Sequence, residues 1–489
     1  MTIMLPKFVL LWTDAVMWAL VAALLVYARV VWRSPNLRAS WTLVLRDAAA
    51  FASAIVLGLC LLLTLLDSVH FRRALPVAGA DTQTAIKAYD TRTQSALDAL
   101  LARLVESREE TYSRPLAYQS FTLESLTVAG EVRRLPPRLR HGGAHLRDPA
   151  QQGSGDIALR VVGGVALGAV VALLLSACTV RGVARRQGWR WRDAAARVLR
   201  DETDIRWRAA LTMLTALCLL AGPAALLMND YHLLGTDRTG NDVFYQALKS
   251  IRTAFVIGTL ATIATLPLAV GLGLMAGYFK GWVDEAIQYL YTVLSSVPNV
   301  LLIAACVLMV QVFLDQHPEL FETGAERADL KLFLLCAILG LTGWAGLCRL
   351  LRAEALKLRE LEYIQAATAF GVGPWRIIAR HLMPNVMHLV LITTVLDFSG
   401  LILYEAVLSY VGVGVDPSMN SFGGMINLAR SEMSRDPLVW WSFAAAFGFM
   451  VTVVLAANFF ADGVRDAFDP RARAFRARRP VPSAAAKPS

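Results

Sequence analysis

The chain has 489 residues, of which 56% are hydrophobic and only 18% are charged, and its mean hydropathy is +0.49. A soluble protein carries about 25% charged residues, so this composition excludes a soluble globular protein and indicates several membrane spans. The formal net charge of +10 does not indicate nucleic-acid binding, because the arginines collect in short loops and no basic, aromatic-interleaved soluble region is present.

Nine apolar runs in the sequence are long enough to cross a hydrocarbon core of about 30 Å. The six cysteines lie in or beside these runs without forming a CxxC pair, so we interpret them as small packing residues. The first run is long enough to remain as a membrane anchor. The predicted spans lie near 8–28, 47–66, 157–180, 208–228, 253–277, 287–313, 332–350, 386–410 and 439–461.

The charges of the connecting loops predict how the spans are oriented. Arginine is concentrated in 29–46, 181–208, 349–381 and the C-terminal tail, whereas 314–331 carries five acidic residues. The positive-inside rule therefore places the basic loops and the C-terminus in the cytoplasm. An odd number of spans then places the N-terminus outside.

The whole pattern predicts an all-α polytopic membrane protein that divides near residue 205. We predict five regions: two N-terminal spans in 1–66, an extracytoplasmic segment in 67–156, a third span with its basic loop in 157–204, a transmembrane domain in 205–475 and a cytoplasmic tail in 476–489.

The extracytoplasmic segment contains one helical pattern and one irregular stretch. Apolar residues recur at helical spacing within 83–110, and Asp81 or Thr82 is predicted to cap this amphipathic helix. The prolines and glycines of 133–143 predict an irregular linker. We interpret His141 and His145 as solvated residues of that linker and predict no metal site.

A polar motif precedes the fifth span, His232-Leu-Leu-Gly-Thr-Asp-Arg-Thr-Gly-Asn-Asp242. Its glycines permit tight turns, and its aspartates can cap helix starts or pair with the arginine between them. We predict a rigid turn at the outer face, with direct substrate contact as the alternative. The candidate residues are Gly235, Thr236, Asp237, Gly240 and Asp242. Further along, Gly271, Gly273 and Gly277 are predicted to let helix backbones approach closely.

A polar, basic segment, Glu362 to Asn385, separates two long apolar runs. It predicts an amphipathic helix over 361–370 on the cytoplasmic surface, with a shallow face of small residues, a glycine turn at its end and a proline that stops it. The candidate residues for docking another protein are Glu362, Gln365, Ala366, Ala367, Gly371 and Pro374.

Two carboxylates fall within or beside the span 386–410. Asp397 and Glu405 are eight residues apart, which places them roughly on one helix face. A carboxylate there is costly unless it is paired or faces water. Asp397 either lines a pathway or holds neighbouring helices together, whereas for Glu405 we favour a structural role.

From about 205 to 475 these motifs, in this order, resemble the C-type permease subunit of the dipeptide/oligopeptide/nickel family of ABC importers. The segments 404–417 and 462–470 match the family's endings, although Asn241, Gln365 and Phe422 replace its usual Arg, Glu and Trp. The resemblance implies a type I transmembrane domain of six helices, preceded here by about three extra ones. It also implies that the helix within 361–373 sits in a groove of a separate ATPase.

The resemblance implies an inner-membrane permease for peptides or similar small solutes. Its expected partners are a second homologous permease subunit, two ATPase subunits or domains and an extracytoplasmic binding protein. No phosphate-binding loop or protease or hydrolase motif is present in the sequence, so no catalytic residue or cofactor is expected on this chain, and ATP with Mg²⁺ belongs to the ATPase. The alternatives are a membrane sensor or assembly protein with a non-transporting core, and an importer of metals or metal chelates.

Overall fold

The N-terminal part combines three long helices with a small region of short strands and helices. The computed structural model describes residues 6–74, 89–90, 92–128 and 131–468. The first elements are β1 (Lys7–Val9), α1 (Trp12–Arg33), α2 (Pro35–Arg46), α3 (Ala48–Asp67), β2 (His70–Arg72), β3 (Gln94–Ser95), α4 (Ala96–Leu100) and α5 (Ala102–Glu106). They are followed by β4 (Glu124–Val128), β5 (Glu131–Leu135), α6 (Pro149–Gln187) and α7 (Trp191–Leu199).

The remaining helices form the domain that carries the two polar motifs. They are α8 (Trp207–Leu227), α9 (Val243–Phe279), α10 (Gly281–Ser296), α11 (Asn299–Gln316), α12 (Gly324–Gly343), α13 (Ala345–Arg359), α14 (Glu362–Ala369) and α15 (Pro374–Ile377). A π-helical turn, Ile378–Leu382, leads into α16 (Met383–Val411), α17 (Phe422–Glu432) and α18 (Trp441–Phe468).

Within the described residues, eight helices are long and apolar enough to span a membrane, and the bent pair α12 and α13 brings the number to as many as nine. Each of the nine predicted runs overlaps one of these. The prediction of one span over 287–313 was wrong, because the chain breaks between α10 and α11. Val297, which precedes Pro298, is extended there, as the proline ring requires.

Helix α9 lies at the centre of the domain and is the most buried of the spans. A Cβ on Gly273 would lie 2.9 Å from the carbonyl oxygen of Cys348, and one on Gly277 would lie 2.8 Å from that of Arg352. Glycine therefore allows α9 and α13 to pack with their backbones in contact, as predicted. The same prediction was wrong for Gly271, which has open space beside it.

The long helix α6 packs against α8, and glycines lie at the contact between the two helices. Gly164 and Gly168 on α6 face Gly222 and Cys218 on α8, and a Cβ on any of these glycines would overlap the backbone of the other helix. Such small-residue packing is typical of helix pairs in membranes, where apolar burial gives no driving force between helices.

The segment 67–156, which we predict to be extracytoplasmic, differs from both of the structural predictions made for it. The start of the predicted 83–110 helix, with Asp81 and Thr82, lies outside the described residues. The remainder forms two short helices, α4 and α5, and Ser95 caps α4 through a capping box with Asp98. The predicted linker begins instead with a strand, since β5 pairs with β4 in a hairpin. Three-stranded pairing of β1, β2 and β3 ties the N-terminus to this region.

Candidate coupling and outer-face sites

Helix α14 is a short surface helix fixed by one buried side chain. Ile364 is 1% exposed and packs into the apolar cluster formed by α9, α13 and the π-helical turn. Ala366, on the opposite side of α14, is exposed, and Ala367 is half-buried. The helix thus presents a shallow face of small residues outward. Each of its ends lies within one residue of the predicted end.

The C-terminal end of α14 is closed by a left-handed turn at Gly371, where φ is +76°. The Gly371 N–H donates to Thr368 O at 3.0 Å, and the Val372 N–H donates to Ala367 O at 3.1 Å, which is the hydrogen-bond pattern of a Schellman motif. Pro374 then begins α15. The loop that follows the helix is therefore held by its own backbone hydrogen bonds.

Side chains also tie α14 to its neighbours. Gln365 Nε2 donates to Glu360 O at 3.2 Å, so its amide caps the end of α13. Asn385 Nδ2 donates to the Tyr363 hydroxyl at 3.1 Å. Under this layer, Arg352 donates to Asp284 at 2.5 and 2.7 Å, a bidentate ion pair between α13 and α10.

Large apolar side chains surround the exposed face of α14. Phe370 is 88% exposed and Trp375 is 62% exposed, and Tyr363 is nearly half exposed. Exposed aromatic residues at the polar end of a membrane protein are a common feature of protein-binding surfaces. Glu362 lies in the first turn of α14, where its negative charge interacts favourably with the helix dipole.

The outer-face motif forms the rigid turn that the sequence predicts. Gly235 and Gly240 have φ values of +73° and +77°. Asp237 Oδ1 accepts hydrogen bonds from the N–H groups of Thr239 and Asn241, at 2.8 and 2.9 Å, so it stabilises the turn and does not pair with the neighbouring arginine. Asp242 caps α9 by accepting from the Tyr245 N–H at 3.0 Å.

The turn also binds the segment 107–120, a contact that the sequence does not reveal. The Thr236 hydroxyl donates to Thr111 O at 2.8 Å and accepts from the Ser113 N–H at 2.7 Å. The Glu109 N–H donates to Gly240 O at 3.0 Å. The motif is therefore largely occupied by the chain itself, which favours its structural role over substrate contact.

Glu109 and His232 form the buried centre of this outer joint. Three backbone N–H groups, of Arg140, His141 and Gly142, donate to the Glu109 carboxylate. His232 lies between that carboxylate, at 3.4 Å, and Asp242, at 2.8 Å. Both groups are almost fully buried, so each charge depends on its partners.

The pKa values of this pair move in opposite directions. Burial alone would lower the pKa of His232, but its hydrogen bonds to Asp242 and Glu109 raise that pKa to about 9. Burial alone would raise the pKa of Glu109, but the hydrogen bonds from His232 and the three N–H groups lower it to about 2. The pair is therefore ionised at neutral pH.

A second buried charge cluster connects α1 with α9 and α12. Arg252 on α9 donates to Asp14 Oδ1 at 2.6 Å and lies 3.7 Å from Asp329 Oδ1. Thr13 donates its backbone N–H to Asp329 at 3.0 Å, and His70 contacts Asp14 at 2.7 Å. Single acidic residues in apolar helices are the only signal in the sequence for this cluster.

The two carboxylates of α16 do not share a face. Glu405 is 1% exposed and accepts from the Ser409 hydroxyl at 2.6 Å, in agreement with the structural role predicted for it. Asp397 is exposed, and it has no hydrogen-bond or ion-pair partner among the residues that the structure describes. The exposure of Asp397 argues against the alternative in which it holds neighbouring helices of this chain together.

In the described part of the chain, no three His, Cys, Asp or Glu side chains come together in a way that could hold a metal ion. All six cysteines are free, and three of them are buried, as expected for packing residues. His145 is not the free linker residue that we predicted, because its ring contacts Asp156 at 3.0 Å.

Known proteins resemble the second part of the chain. Residues 269–474 match the family described as "binding-protein-dependent transport system inner membrane component". The oligopeptide transport system permease protein OppC of Mycobacterium bovis is 30% identical over 302 residues, covering 58% of this chain and 97% of that protein. The glutathione transport system permease protein GsiD of Pectobacterium atrosepticum is 32% identical over 240 residues, covering 49% and 73%.

A solved structure gives a weaker likeness. A chain of the MetNI methionine ABC transporter in an inward-facing conformation has 16% identity, with a TM-score of 0.32 over 45% of this chain and 93% of that one. That score is too low to add to the sequence matches.

Proposed function

Because this chain belongs to the binding-protein-dependent inner-membrane transport components, as a permease of the peptide branch of ABC importers, we propose that it forms part of a pathway for peptides or similar small solutes. It receives movement from a separate ATPase through α14. The chain is a multi-pass membrane protein and a transport subunit. ATP and Mg²⁺ are bound by the ATPase in this proposal.

The geometry of α14 is the single observation that carries the coupling proposal. One side chain, Ile364, fixes the helix in the core, while the opposite face of small residues is open. Hydrogen bonds from its N-terminal half tie the helix to the end of α13 and to α16, and the backbone turn at Gly371 closes its C-terminal end. A helix held in this way transmits a push as a rigid body, which a flexible loop cannot do.

The proposed assembly follows from the family. A second homologous permease completes the pathway, one of two ATPase subunits or domains binds the surface around α14, and an extracytoplasmic protein delivers the substrate. The arginine-rich loops and the C-terminus lie in the cytoplasm in this arrangement, with the N-terminus outside. The names of the relatives include oligopeptide, dipeptide and glutathione permeases, which supports a peptide substrate.

Co-purification of the tagged chain from its native membrane tests the coupling proposal. The wild-type chain should bring down an ATPase and a second permease. The variant Ala366→Arg places a long cation on the shallow face and should lose the ATPase but keep the permease. Ala366→Ser, which keeps the face small, is the matched control. Equal ATPase recovery with both variants would contradict the docking role.

Asp397 gives a separate test of the pathway. Its exposed carboxylate, without a partner in the described chain, fits a position facing water or the partner permease rather than lipid. Asp397→Asn should change peptide uptake while the assembly stays intact. Loss of the assembly instead would assign Asp397 to the subunit interface.

A further inference from the structure

The junction between α6 and α7 forms a groove that the transport function does not use. Its volume is about 770 Å³. The walls combine apolar side chains with two arginines and two tryptophans. The lining residues are Leu174, Ala177, Cys178, Arg181, Ala184, Arg185, Gly188, Trp189 and Trp191.

The dimensions of α6 place this groove at a membrane interface. Arg160 and Arg181 bound an apolar stretch of α6. At 1.5 Å per residue they are about 30 Å apart, which matches the thickness of a hydrocarbon core. Arg181 therefore lies at the headgroup level on the basic side of the membrane, and Leu174 lies within the acyl-chain region.

The junction itself has a fixed shape. Gly188 takes a left-handed conformation with φ of +66°, and the Trp189 N–H donates to Ala184 O at 3.0 Å. The Arg197 guanidinium stacks on the Trp189 ring at 4.3 Å. Helix α7 buries Ala194 and Val198 against the end of α6 and the start of α8. Trp191 remains 54% exposed beside the groove.

The positive charge of the junction is not balanced by the described chain. Arg181 and Arg185 lie one helical turn apart, both exposed, and no carboxylate or other hydrogen-bond partner in the described ranges contacts them. Between 181 and 200 the sequence has seven arginines and one acidic residue, Asp193. Two unpaired guanidinium groups above an apolar wall suit an anion that carries a hydrocarbon chain.

We propose that this groove binds an anionic phospholipid. The phosphodiester lies between the guanidinium groups of Arg181 and Arg185, and an acyl chain follows Leu174 and Ala177. The indole of Trp191 lies at the headgroup level, where tryptophan is enriched in membrane proteins. A free phosphate ion would leave the apolar wall uncovered, so the lipid is the occupant that matches both parts of the groove.

Lipid retention by the purified full-length chain tests this proposal. The chain in mild detergent is equilibrated with mixed micelles of equal phosphatidylglycerol and phosphatidylcholine and then repurified, and bound lipid is measured by mass spectrometry. The wild type should retain more phosphatidylglycerol than phosphatidylcholine. Arg181→Gln/Arg185→Gln should reduce this retention about tenfold, because two charge-assisted contacts are lost.

The matched control is Arg200→Gln/Arg208→Gln, which removes the same charge from the same basic stretch of the sequence, 181–208, but outside the groove. It should retain phosphatidylglycerol as the wild type does. Trp191→Ala, a change at an exposed position, should weaken retention by a smaller factor and provides a second test if the double arginine variant does not fold. Unchanged retention by the Arg181/Arg185 variant, or an equal loss in the control, would overturn the proposal.

Discussion

The turn 235–242 and helix α14 lie at opposite ends of α9, and their polar groups are arranged in opposite ways. The turn 235–242 binds the segment 107–120 of the same chain, and its Asp242 belongs to a buried cluster of paired charges with His232 and Glu109. At the other end, α14 is held by one buried side chain and presents exposed small and aromatic residues.

The turn 235–242 is therefore part of the chain's own packing, whereas the exposed face of α14 is a surface on which another protein can bind. Buried charges are costly unless every partner is present, so the outer joint tolerates little change. The inner surface has no such network on its exposed face, and changes there affect the chain's own stability little. The following predictions test this contrast, from the largest expected effect on stability to the smallest.

Arg252→Ala should have the largest effect, a loss of about 3–5 kcal/mol in the free energy of unfolding, because Asp14 and Asp329 would remain buried without their cation. Thermal unfolding of the purified chain in detergent measures this. Arg238→Ala, which removes an exposed arginine from the outer turn, should leave the unfolding midpoint unchanged. Equal midpoints for the two variants would show that the cluster is not required.

His232 should make the stability of the outer joint depend on pH. Its pKa in the folded chain, about 9, lies above the ordinary value of 6.5. The stabilisation is therefore complete below pH 6.5 and is lost as the pH rises through 9, and its size is on the order of 3 kcal/mol. His232→Gln should unfold at lower temperature at pH 7 and lose much of the difference between pH 7 and pH 10. An unchanged pH dependence in the variant would contradict this assignment.

Gly240→Ala should destabilise the outer joint by roughly 1–3 kcal/mol, because φ is positive there and the new Cβ would overlap the backbone of Glu109. Limited proteolysis within 107–120 and the unfolding midpoint both report on it. Gly271→Ala is the control, since that helical glycine has open space beside it. If Gly271→Ala destabilises the chain as much as Gly240→Ala does, the predicted difference between the two glycines is wrong.

Ala366→Arg should change the unfolding midpoint least, by less than about 0.5 kcal/mol in free energy, since the side chain points away from the core. The same variant is expected to lose the ATPase, so stability and partner binding separate at this position. A large drop in the midpoint would mean that α14 belongs to the folded core, and that the loss of binding reports misfolding.

Much of the membrane architecture follows from the sequence, because span length and apolar composition are local properties. The turns at Gly235, Gly240 and Gly371 were also predicted correctly, since only glycine takes a left-handed conformation readily. Helix α14 was predicted to within one residue at each end, because Gly371 and Pro374 mark its C-terminal limit. Its ATPase partner stays a prediction.

Long-range pairing was not accessible from the sequence. Glu109 and His232 are 123 residues apart, and nothing near either residue indicates the other. In the described part of the predicted 83–110 helix, the first helical residue is Ala96, because the capping box of Ser95 and Asp98 begins α4 there. The prediction that Asp397 and Glu405 lie on one helix face failed because a spacing of eight residues leaves them about 80° apart around a helix of 3.6 residues per turn.

The cluster around Arg252 also constrains how the chain is made. Asp14 is inserted with the first helix, but Arg252 is synthesised 238 residues later. At a translation rate of about 5–20 residues per second, the carboxylate waits roughly 10–50 seconds for its cation. During that time the unpaired carboxylate of Asp14 makes insertion of α1 into the bilayer costly, and the cost is offset only when α9 brings Arg252.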